Sequence, residues 1–305
     1  MKNKKAIRSP LFYVGDKYKL MPQLKELFPK NINSFFDVFC GGGSVSINTQ
    51  ANQYFLNDVN EKVIELHSLL MNHSADMEKF ILYQYKQIEK YGLSHSEFGL
   101  NEEIEKLKRD FKKTYFSKYN KESYLALRAS YNSDQSDVMK LYLLLIYGFN
   151  HMIRFNNSGQ FNLPVGNVDW NKNVTQSLIN YSEWTQSKNN NVNLTSLDFE
   201  EFVNNQKIGK NDFLYFDPPY LITFSDYNKL WSLEEELRLY NLLDRLDQVG
   251  IKWGLSNMVS HKGKTNKFLI KWAQKYNEYS ITSNYISRFD NTIKENSKEI
   301  YVTNV

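Results

Sequence analysis

A carboxylate, a proline carbonyl and an aromatic ring stand close together in the segment Asp217-Pro218-Pro219-Tyr220. The preceding residues, 212–216, are apolar and aromatic, which predicts a buried strand that the two prolines end. Asp217 and the Pro218 carbonyl offer acceptor oxygens that suit the two N–H donors of an exocyclic amino group. Accepting both hydrogens would draw the nitrogen lone pair out of conjugation, while Tyr220 offers a face for a flat base. The segment therefore predicts activation of an aromatic amine, although taken alone it fits a plain loop after a strand equally well.

A glycine-rich loop, Cys40-Gly41-Gly42-Gly43, follows an apolar strand predicted over 35–39 and leads into a helix. Glycines permit tight turning and a close approach of the backbone to a ligand. The loop lacks the third glycine of a dinucleotide fingerprint and the Gly-Lys-Ser/Thr of a P-loop, which disfavours a pyrophosphate ligand. A smaller, adenosine-bearing ligand without phosphates remains open.

An acid also follows the next predicted strand, 54–56, where Asp58 is placed to accept hydrogen bonds from ribose hydroxyls. Asp58 could instead cap the helix that follows, but Asn60 can supply that cap. Upstream, a glycine turn delivers Lys17 to the start of a helix that we expect to run to about Leu27. Taken alone, Lys17 is better interpreted as an ordinary surface lysine.

The elements that position these residues alternate between strand and helix at both ends of the chain. After a helix predicted over 173–187, a capping box at Ser232 opens another helix. In this half, strands are predicted near 192–194, 212–216, 251–257, 279–286 and 299–303. Between the two ends, 64–165 is dominated by helices, predicted over 75–91, 101–120 and 137–148. This pattern indicates a mostly helical insertion in an α/β domain.

The insertion ends in a segment that predicts a hairpin over 153–163, turned by Asn157-Ser158-Gly159. The hairpin carries Arg154 together with amides and aromatic rings. Arginine pairs with guanine, asparagine and glutamine pair with adenine, and an apolar wedge can enter a base step. By itself, the segment is more simply interpreted as a structural hairpin.

Composition limits the classes of protein that fit. The chain of 305 residues is long enough for one large domain or a core domain with an insertion. Its one cysteine, Cys40, excludes an internal disulfide and favours a reducing cytoplasm. We expect no membrane span, no signal peptide and no structural metal, since no histidine pairs with cysteine at a zinc-like spacing. The net charge of +4 is compatible with a polyanionic partner.

Two basic clusters could contact phosphate, although a solvated surface is the better interpretation of each. They are the N-terminal arm with Lys2, Lys4, Lys5 and Arg8, and the run of Lys106, Lys108, Arg109, Lys112 and Lys113. A loop near the C-terminus holds Arg288, Lys294 and Lys298.

The order of the Lys17 segment, the glycine loop, the insertion and Asp217-Pro218-Pro219-Tyr220 resembles the alpha-class, Dam-like (D12 class) DNA adenine-N6 methyltransferases. The resemblance runs from about Phe12 to Thr303. It implies a Rossmann-like, S-adenosylmethionine-dependent methyltransferase sheet and an inserted, mostly helical target-recognition domain that carries a β-hairpin. The implied boundaries are 1–63 and 166–305 for the catalytic domain and 64–165 for the DNA-binding domain.

The resemblance also implies roles for individual residues. Residues implied to bind the methyl donor are Tyr13, Lys17, Gly41, Gly43, Asp58, Asp198, Phe199 and Asp217. Among them, Asp58 would hold the ribose, and Asp198 with Phe199 would border the adenine. The implied catalytic residues are Asp217, Pro218 and Tyr220: the first two would accept the amine hydrogens, and the third would stack on the flipped base.

Residues implied to bind DNA are Phe149, Asn150, Met152, Arg154 and Pro164. Phe149 would be the wedge at the emptied site, Asn150 and Met152 would lie near base edges, and Arg154 would read a guanine. The chain has Phe149-Asn150-His151-Met152 where the family often has Tyr-Asn-Gly-Leu, which keeps the wedge but can change the sequence readout. Residues 12–17 are Phe-Tyr-Val-Gly-Asp-Lys where the family often has Lys-Trp-Ala-Gly-Gly-Lys. The first lysine of the family pattern can contact DNA, and Phe12 replaces it in this chain.

The implied activity is transfer of a methyl group from S-adenosylmethionine, without a metal, to N6 of a flipped adenine in double-stranded DNA. A GA-containing site such as GATC is expected. The enzyme would be cytoplasmic and a monomer or weak dimer. A cognate restriction endonuclease would be linked to it functionally rather than physically. Alternatives are an RNA adenine or DNA cytosine-N4 methyltransferase, and a catalytically inactive DNA-binding module.

Overall fold

The computed structural model describes residues 6–189, 191–223, 231–282 and 297–305. They form two compact units, the first mainly of Lys17–Val59 and Asn191–Val305 and the second of Ile7–Asp16 and Asn60–Asn190. Several residues named from the sequence lie outside the described ranges. They are Lys2, Lys4, Lys5, Arg288, Lys294 and the second half of the strand predicted near 279–286.

The first unit is built on one sheet whose eight described strands run in the order β3-β2-β1-β4-β5-β8-β7, with β6 paired to β5. The strands are β1 Ser34–Asp37, β2 Gln53–Asn57, β3 Val192–Thr195, β4 Phe213–Phe216, β5 Lys252–His261, β6 Lys264–Thr265, β7 Asn277–Ile281 and β8 Ser297–Thr303. The strands from β3 to β5 in this order are parallel to their neighbours, whereas β8 is antiparallel to both β5 and β7. This mostly parallel sheet confirms the predicted α/β class.

Eleven α-helices occur in the described residues. In chain order they are α1 Met21–Leu27, α2 Ser44–Asn48, α3 Glu61–Asn72, α4 Met77–Tyr91, α5 Glu102–Asp110, α6 Tyr115–Ser133, α7 Val138–Tyr147, α8 Lys172–Ser187, α9 Phe199–Asn204, α10 Leu233–Gln248 and α11 Lys267–Ala273. Helices α3–α8 belong to the second unit and the others to the first. No helix in the described part of the chain has both the length and the apolar character that a membrane span needs.

The central strands of the first unit are buried along their whole length. Every residue of β1 and β4 is buried, as expected for parallel strands that are covered on both faces. Phe36, Leu214 and Trp253 belong to one apolar cluster with Leu239 and Leu243 of α10. This core fixes the strands whose carboxyl ends carry the motifs found in the sequence.

Two predicted helix caps are present. The Ser232 side chain accepts a hydrogen bond from the Glu235 N–H at 3.3 Å, and the Asn60 side chain accepts one from the Lys62 N–H at 3.1 Å. Each bond satisfies a donor that the first turn of a helix leaves without a partner. The starts of α10 and α3 are therefore set locally, by residue types that the sequence displays.

Helix α7 forms the centre of the second unit. All residues from Leu141 to Tyr147 are buried, as expected for a helix that is apolar on every side. The helix predicted over 137–148 is confirmed by α7, and the helix predicted over 75–91 by α4.

The continuous helix predicted over 101–120 is wrong, because α5 ends at Asp110 and α6 begins at Tyr115. The second start is fixed by a distant side chain. The Asn167 oxygen accepts hydrogen bonds from the N–H groups of Phe116 and Ser117, at 3.0 and 3.2 Å. No proline or glycine marks the break, so the local sequence does not reveal it.

The chain reverses direction within 153–163, as predicted, with an antiparallel bridge between Phe155 and Phe161. Backbone hydrogen bonds on either side of the bridge run from the Asn156 N–H to the Gln160 carbonyl at 2.9 Å and from the Asn162 N–H to the Arg154 carbonyl at 3.0 Å. Side-chain hydrogen bonds stabilise the reversal. The Asn156 oxygen accepts a hydrogen bond from the Gln160 N–H at 2.9 Å. The Asn132 oxygen likewise accepts one from the Phe161 N–H at 2.8 Å.

Candidate active site

The two motifs that the sequence analysis selected lie at the same edge of the sheet. Strands β1 and β4 are parallel neighbours, with Phe35 opposite Phe213 and Asp37 opposite Tyr215. The glycine loop follows the carboxyl end of β1, and Asp217 follows that of β4. In parallel α/β sheets this edge is where ligands bind.

Lys17 is buried and paired with Asp217. Its ammonium nitrogen lies 2.7 Å from Asp217 Oδ2, and only 4% of its side chain is exposed. The Lys17 carbonyl accepts hydrogen bonds from the N–H groups of Leu20 and Met21, at 2.8 and 3.1 Å, which hold the turn before α1. The interpretation of Lys17 as an ordinary surface lysine is therefore wrong.

A second carboxylate, Glu299 of β8, completes the group of side chains around Asp217. The Tyr220 hydroxyl lies 2.8 Å from Glu299 Oε1 and 3.1 Å from Asp217 Oδ1. A hydroxyl has one hydrogen, so it can donate to only one of the two at a time. The Lys17 ammonium is 3.8 Å from Glu299 Oε1 and 5.2 Å from the centre of the Tyr220 ring. We call these four residues the carboxylate cluster.

Glu299 was not among the site residues taken from the sequence, which predicted only that it begins the last strand. It is 1% exposed. Acids are rarely buried without a partner. An acid that opens the apolar run Ile300-Tyr301-Val302 was therefore the signal that could have identified it.

The charges of the carboxylate cluster do not cancel. Two ionised carboxylates and one ammonium leave a formal charge of −1. Burial raises the pKa of Asp217 above its ordinary value, and Glu299 adds to this, while attraction and a hydrogen bond from Lys17 oppose it. The cluster therefore suits a ligand that brings a positive charge or N–H donors.

The glycine loop is held by Asp58. The Gly41 N–H donates to Asp58 Oδ2 at 3.0 Å, and Gly41 and Gly43 have φ of 46° and 74°, in the left-handed region that favours glycine. Asp58 is partly exposed. Its proposed role toward a ribose is compatible with this position and stays a prediction.

Asn57 connects the loops at the same edge and was missed by the sequence analysis. Its side-chain amide donates to the carbonyls of Val38 and Leu197 at 3.1 and 2.9 Å. Its oxygen accepts a hydrogen bond from the Thr195 hydroxyl at 2.9 Å. One buried amide thus joins the ends of β1, β2 and β3.

Asp198 and Phe199 begin α9 beside an aromatic group. The Asp198 side chain accepts from the Glu200 N–H at 3.0 Å and also pairs with Arg238. The Phe199 ring centre lies 5.6 Å from that of Phe39 and 5.8 Å from that of Trp231. Asp198 is therefore a helix cap, and the adenine contact predicted for both residues stays a prediction.

Asp37 is a buried acid at the end of β1, and it too was missed. The Ser46 hydroxyl donates to its Oδ2 at 2.6 Å. Burial raises the pKa of Asp37 to about 7, although the Ser46 hydrogen bond opposes the shift. This carboxyl joins β1 to α2 directly behind the glycine loop.

The residues predicted to bind DNA lie in the second unit. Phe149 is 48% exposed, its N–H donates to the Pro164 carbonyl at 3.0 Å, and Asn150 has φ of 54°. Arg154 donates through Nε to Asn162 Oδ1 and through its guanidinium to the Asn162 carbonyl, both at 2.9 Å.

Three of these residues are exposed. Phe149, Asn150 and Pro164 are exposed, whereas Met152 is partly buried. Tyr13, predicted to touch the methyl donor, also belongs to the second unit and is partly buried. The roles assigned to these residues stay predictions.

Among the described residues, no group of three or more His, Cys, Asp or Glu side chains is placed to hold a metal ion.

Sequence comparison identifies the family. A family model for D12 class N6 adenine-specific DNA methyltransferases matches residues 13–286. The chain is 35% identical over 311 residues to the Type II methyltransferase M.FokI of Planomicrobium okeanokoites, covering 99% of this chain and 44% of that protein. It is 35% identical over 311 residues to the modification methylase StsI of Streptococcus sanguinis, covering 99% and 43%.

A DNA adenine methylase of Salmonella typhi is 24% identical over 253 residues, covering 79% of this chain and 77% of that protein. The chain thus spans less than half the length of M.FokI and StsI but most of the length of the Salmonella protein. On the matched range of 13–286, which contains the glycine loop and the Asp217 segment, the chain belongs to the D12 class N6 adenine-specific DNA methyltransferases.

Proposed function

We propose that this protein transfers a methyl group from S-adenosylmethionine to N6 of an adenine that is flipped out of duplex DNA. The observation that carries the proposal is the carboxylate cluster. It combines an acceptor carboxylate and an aromatic ring at the sheet edge that also holds the glycine loop, and Pro218 follows Asp217 directly in the sequence. Family membership supports the same chemistry.

The described residues fit S-adenosylmethionine. The loop backbone at Gly41 and the Asp58 carboxylate offer polar partners for an adenosine moiety, and the rings of Phe39, Phe199 and Trp231 offer flat apolar surface. The negative carboxylate cluster complements a sulfonium cation. When bound, the donor supplies an electrophilic methyl group.

The chain's own groups would prepare the target amine. Asp217 Oδ1 and the Pro218 carbonyl accept hydrogen bonds from the two N–H groups of this amine, which localises the lone pair on nitrogen. If the Tyr220 hydroxyl donates to Glu299, the nearer of its two acceptors, it does not compete for Asp217 Oδ1. The Tyr220 ring stacks on the base, and positioning together with fixed dipoles supplies most of the rate.

The helical second unit would serve as the target-recognition domain. Flipping costs a few kcal/mol, which phosphate contacts and an exposed wedge at Phe149 would offset. Arg154 would read a guanine in a GA-containing site such as GATC.

The names of the Type II and modification-methylase relatives support a restriction–modification role with an endonuclease of the same specificity. We propose a monomer or weak dimer as the active species.

The test is transfer of labelled methyl from S-adenosylmethionine to unmethylated duplex DNA, followed by identification of the modified nucleoside and mapping of its positions. We expect N6-methyladenine in one recurring short sequence. N4-methylcytosine, or transfer to RNA alone, would overturn the substrate while keeping the amine chemistry. Donor binding without transfer to either nucleic acid would indicate an inactive DNA-binding module.

A further inference from the structure

Strand β5 continues well beyond the edge where its neighbour β4 ends. Phe216, the last residue of β4, is opposite Leu255, whereas β5 continues to His261. At about 3.3 Å per residue, the additional residues carry β5 roughly 20 Å farther in the direction of the catalytic edge. The chain then turns at Lys262-Gly263 and returns as β6, with His261 opposite Lys264.

The turn exposes a group of lysines. Lys262 and Gly263 have φ of 47° and 79°, the left-handed pair that a two-residue hairpin turn requires. Lys262, Lys264 and Lys267 are all exposed. We call residues 260–267 the basic hairpin, because its sequence contains these three lysines and no acid.

The base of the basic hairpin is anchored in the core. Glu236 of α10 is fully buried, and its Oε1 accepts hydrogen bonds from the side-chain amides of Asn257 and Asn266, both at 3.0 Å. Trp231 and Tyr240 donate to the same carboxylate, each at 2.6 Å. The Glu236 carboxylate thus links β5, which leads into the hairpin, to Asn266 near the end of the hairpin. A fixed base reduces the ordering cost of binding through the tip.

The positive charge of the hairpin comes from its lysines and not from His261. Burial, together with Lys262 and Lys264, lowers the pKa of His261 below its ordinary value. Its Nδ1 lies 2.8 Å from the Ser297 hydroxyl. The ring is therefore expected to be neutral near pH 7. The charges at the tip are then the lysine ammonium groups, each at the end of a flexible side chain.

We propose that the basic hairpin binds the phosphate backbone of the DNA duplex beside the target base. This inference rests on the proposed function, because it assumes that DNA reaches the edge of the sheet that carries Asp217. Lysine ammonium groups recognise phosphates as point charges and release bound counterions. Such contacts position the duplex without reading its sequence.

The test uses the double variant Lys262→Ala/Lys264→Ala and measures duplex affinity across a series of salt concentrations. The logarithm of the association constant falls as the logarithm of the salt concentration rises. Each lost phosphate contact makes this slope less steep by about 0.9, so we expect a change of about two units if both lysines contact phosphate. The affinity loss should be similar for duplexes with and without the methylation site. The affinity for S-adenosylmethionine should not change.

The matched control is Lys207→Ala/Lys210→Ala, which removes the same charge from two exposed lysines in the segment before β4, at the opposite end of that strand. An unchanged slope in the hairpin variant, or equal changes in both variants, would overturn the inference. Loss of affinity for one sequence alone would overturn it too, because it would indicate a base contact. If the double variant does not fold, Lys262→Gln replaces it, with an expected change of about one unit. A wild-type protein that neither binds nor methylates DNA would instead refute the proposed function.

Discussion

At the scale of single residues, the most informative feature is a hydroxyl that lies between two carboxylates. Tyr220 can donate to Glu299 or to Asp217, but not to both at once. If Glu299 is absent, the hydroxyl can donate only to Asp217, where in the proposed mechanism it would compete with the target amine. The proposed chemistry of Asp217 therefore depends on a residue on another strand.

A double-mutant cycle of Glu299→Gln and Tyr220→Phe tests this dependence. We expect Glu299→Gln to lower the single-turnover rate about tenfold, which corresponds to about 1.4 kcal/mol, and Tyr220→Phe, which has no hydroxyl to compete for Asp217, to lower it less. The double variant should be faster than Glu299→Gln, because it lacks the competing hydroxyl, and couplings of about 0.5–3 kcal/mol are usual for residues in contact. Glu278→Gln, which alters an exposed glutamate of β7 paired with Lys298, is the control and should leave the rate unchanged. Additive losses would contradict the shared hydroxyl.

Asp37 gives a prediction about pH and stability. Its pKa is raised to about 7 by burial, whereas an unfolded aspartate titrates near pH 3.9. Between these values the unfolded chain has lost a proton that the folded protein keeps, so stability falls as pH rises through this window. The full loss above pH 7 is on the order of 4 kcal/mol.

The variant Asp37→Asn should remove this dependence while keeping an acceptor for Ser46. We expect its free energy of unfolding, measured in urea from pH 5 to pH 8, to vary less than that of the wild type. It should be the more stable protein at pH 8. Parallel pH profiles would show that Asp37 is ionised in the folded state.

The residues that the sequence revealed at this scale are those with a characteristic spacing. Asp217 and Tyr220 were found because prolines separate them, and Gly41 because glycines surround it. Glu299 and Asn57 stand alone in strands, so their importance depends on neighbours that only the fold supplies.

At the scale of elements, the glycine loop offers a matched pair of variants. Gly41 and Gly250 both have positive φ, of 46° and 75°, and an alanine there costs about 1–2 kcal/mol. Gly41→Ala and Gly250→Ala should therefore lose similar stability. Only Gly41→Ala should lower the affinity for S-adenosylmethionine, by about tenfold or more, in titration calorimetry. Equal donor affinities in the two variants would show that the loop does not hold the donor.

The turn that carries Arg154 gives a prediction about sequence specificity. Replacing a guanine-reading arginine costs about 1–3 kcal/mol and relaxes the preference at one base pair. We expect Arg154→Ala to methylate sites that differ from the wild-type site at one position. Arg109→Ala, which changes an exposed arginine of α5, serves as the control and should keep the wild-type preference. An unchanged site in Arg154→Ala would assign the reading of guanine to another residue.

Elements were predictable where their ends are marked locally, as with the Ser232 and Asn60 caps. The ends of elements were not predictable where a side chain that is distant in sequence determines them. The break between α5 and α6 depends on Asn167, and the reversal within 153–163 is stabilised by Asn132, whose oxygen accepts a hydrogen bond from the Phe161 N–H. These partners are far apart in sequence and have no common period.

At the scale of the whole molecule, the alternation of strands and helices predicted the α/β class, but it does not reveal which helices group together. Helix α8 groups with the second unit. There the Tyr181 hydroxyl lies 3.1 Å from His67 Nδ1, and the Ser182 hydroxyl donates to the Ser74 carbonyl at 2.6 Å. These contacts span more than 100 residues, which local periodicity cannot indicate.

The central claim is that Asp217 activates an adenine amine for methyl transfer. It is tested most directly by comparing Asp217→Ala with the wild type on the same unmethylated duplex, while donor binding is measured by calorimetry. We expect methylation of adenine by the wild type, no detectable transfer by the variant, and donor binding that remains measurable in both. Near-normal turnover in Asp217→Ala would contradict the account.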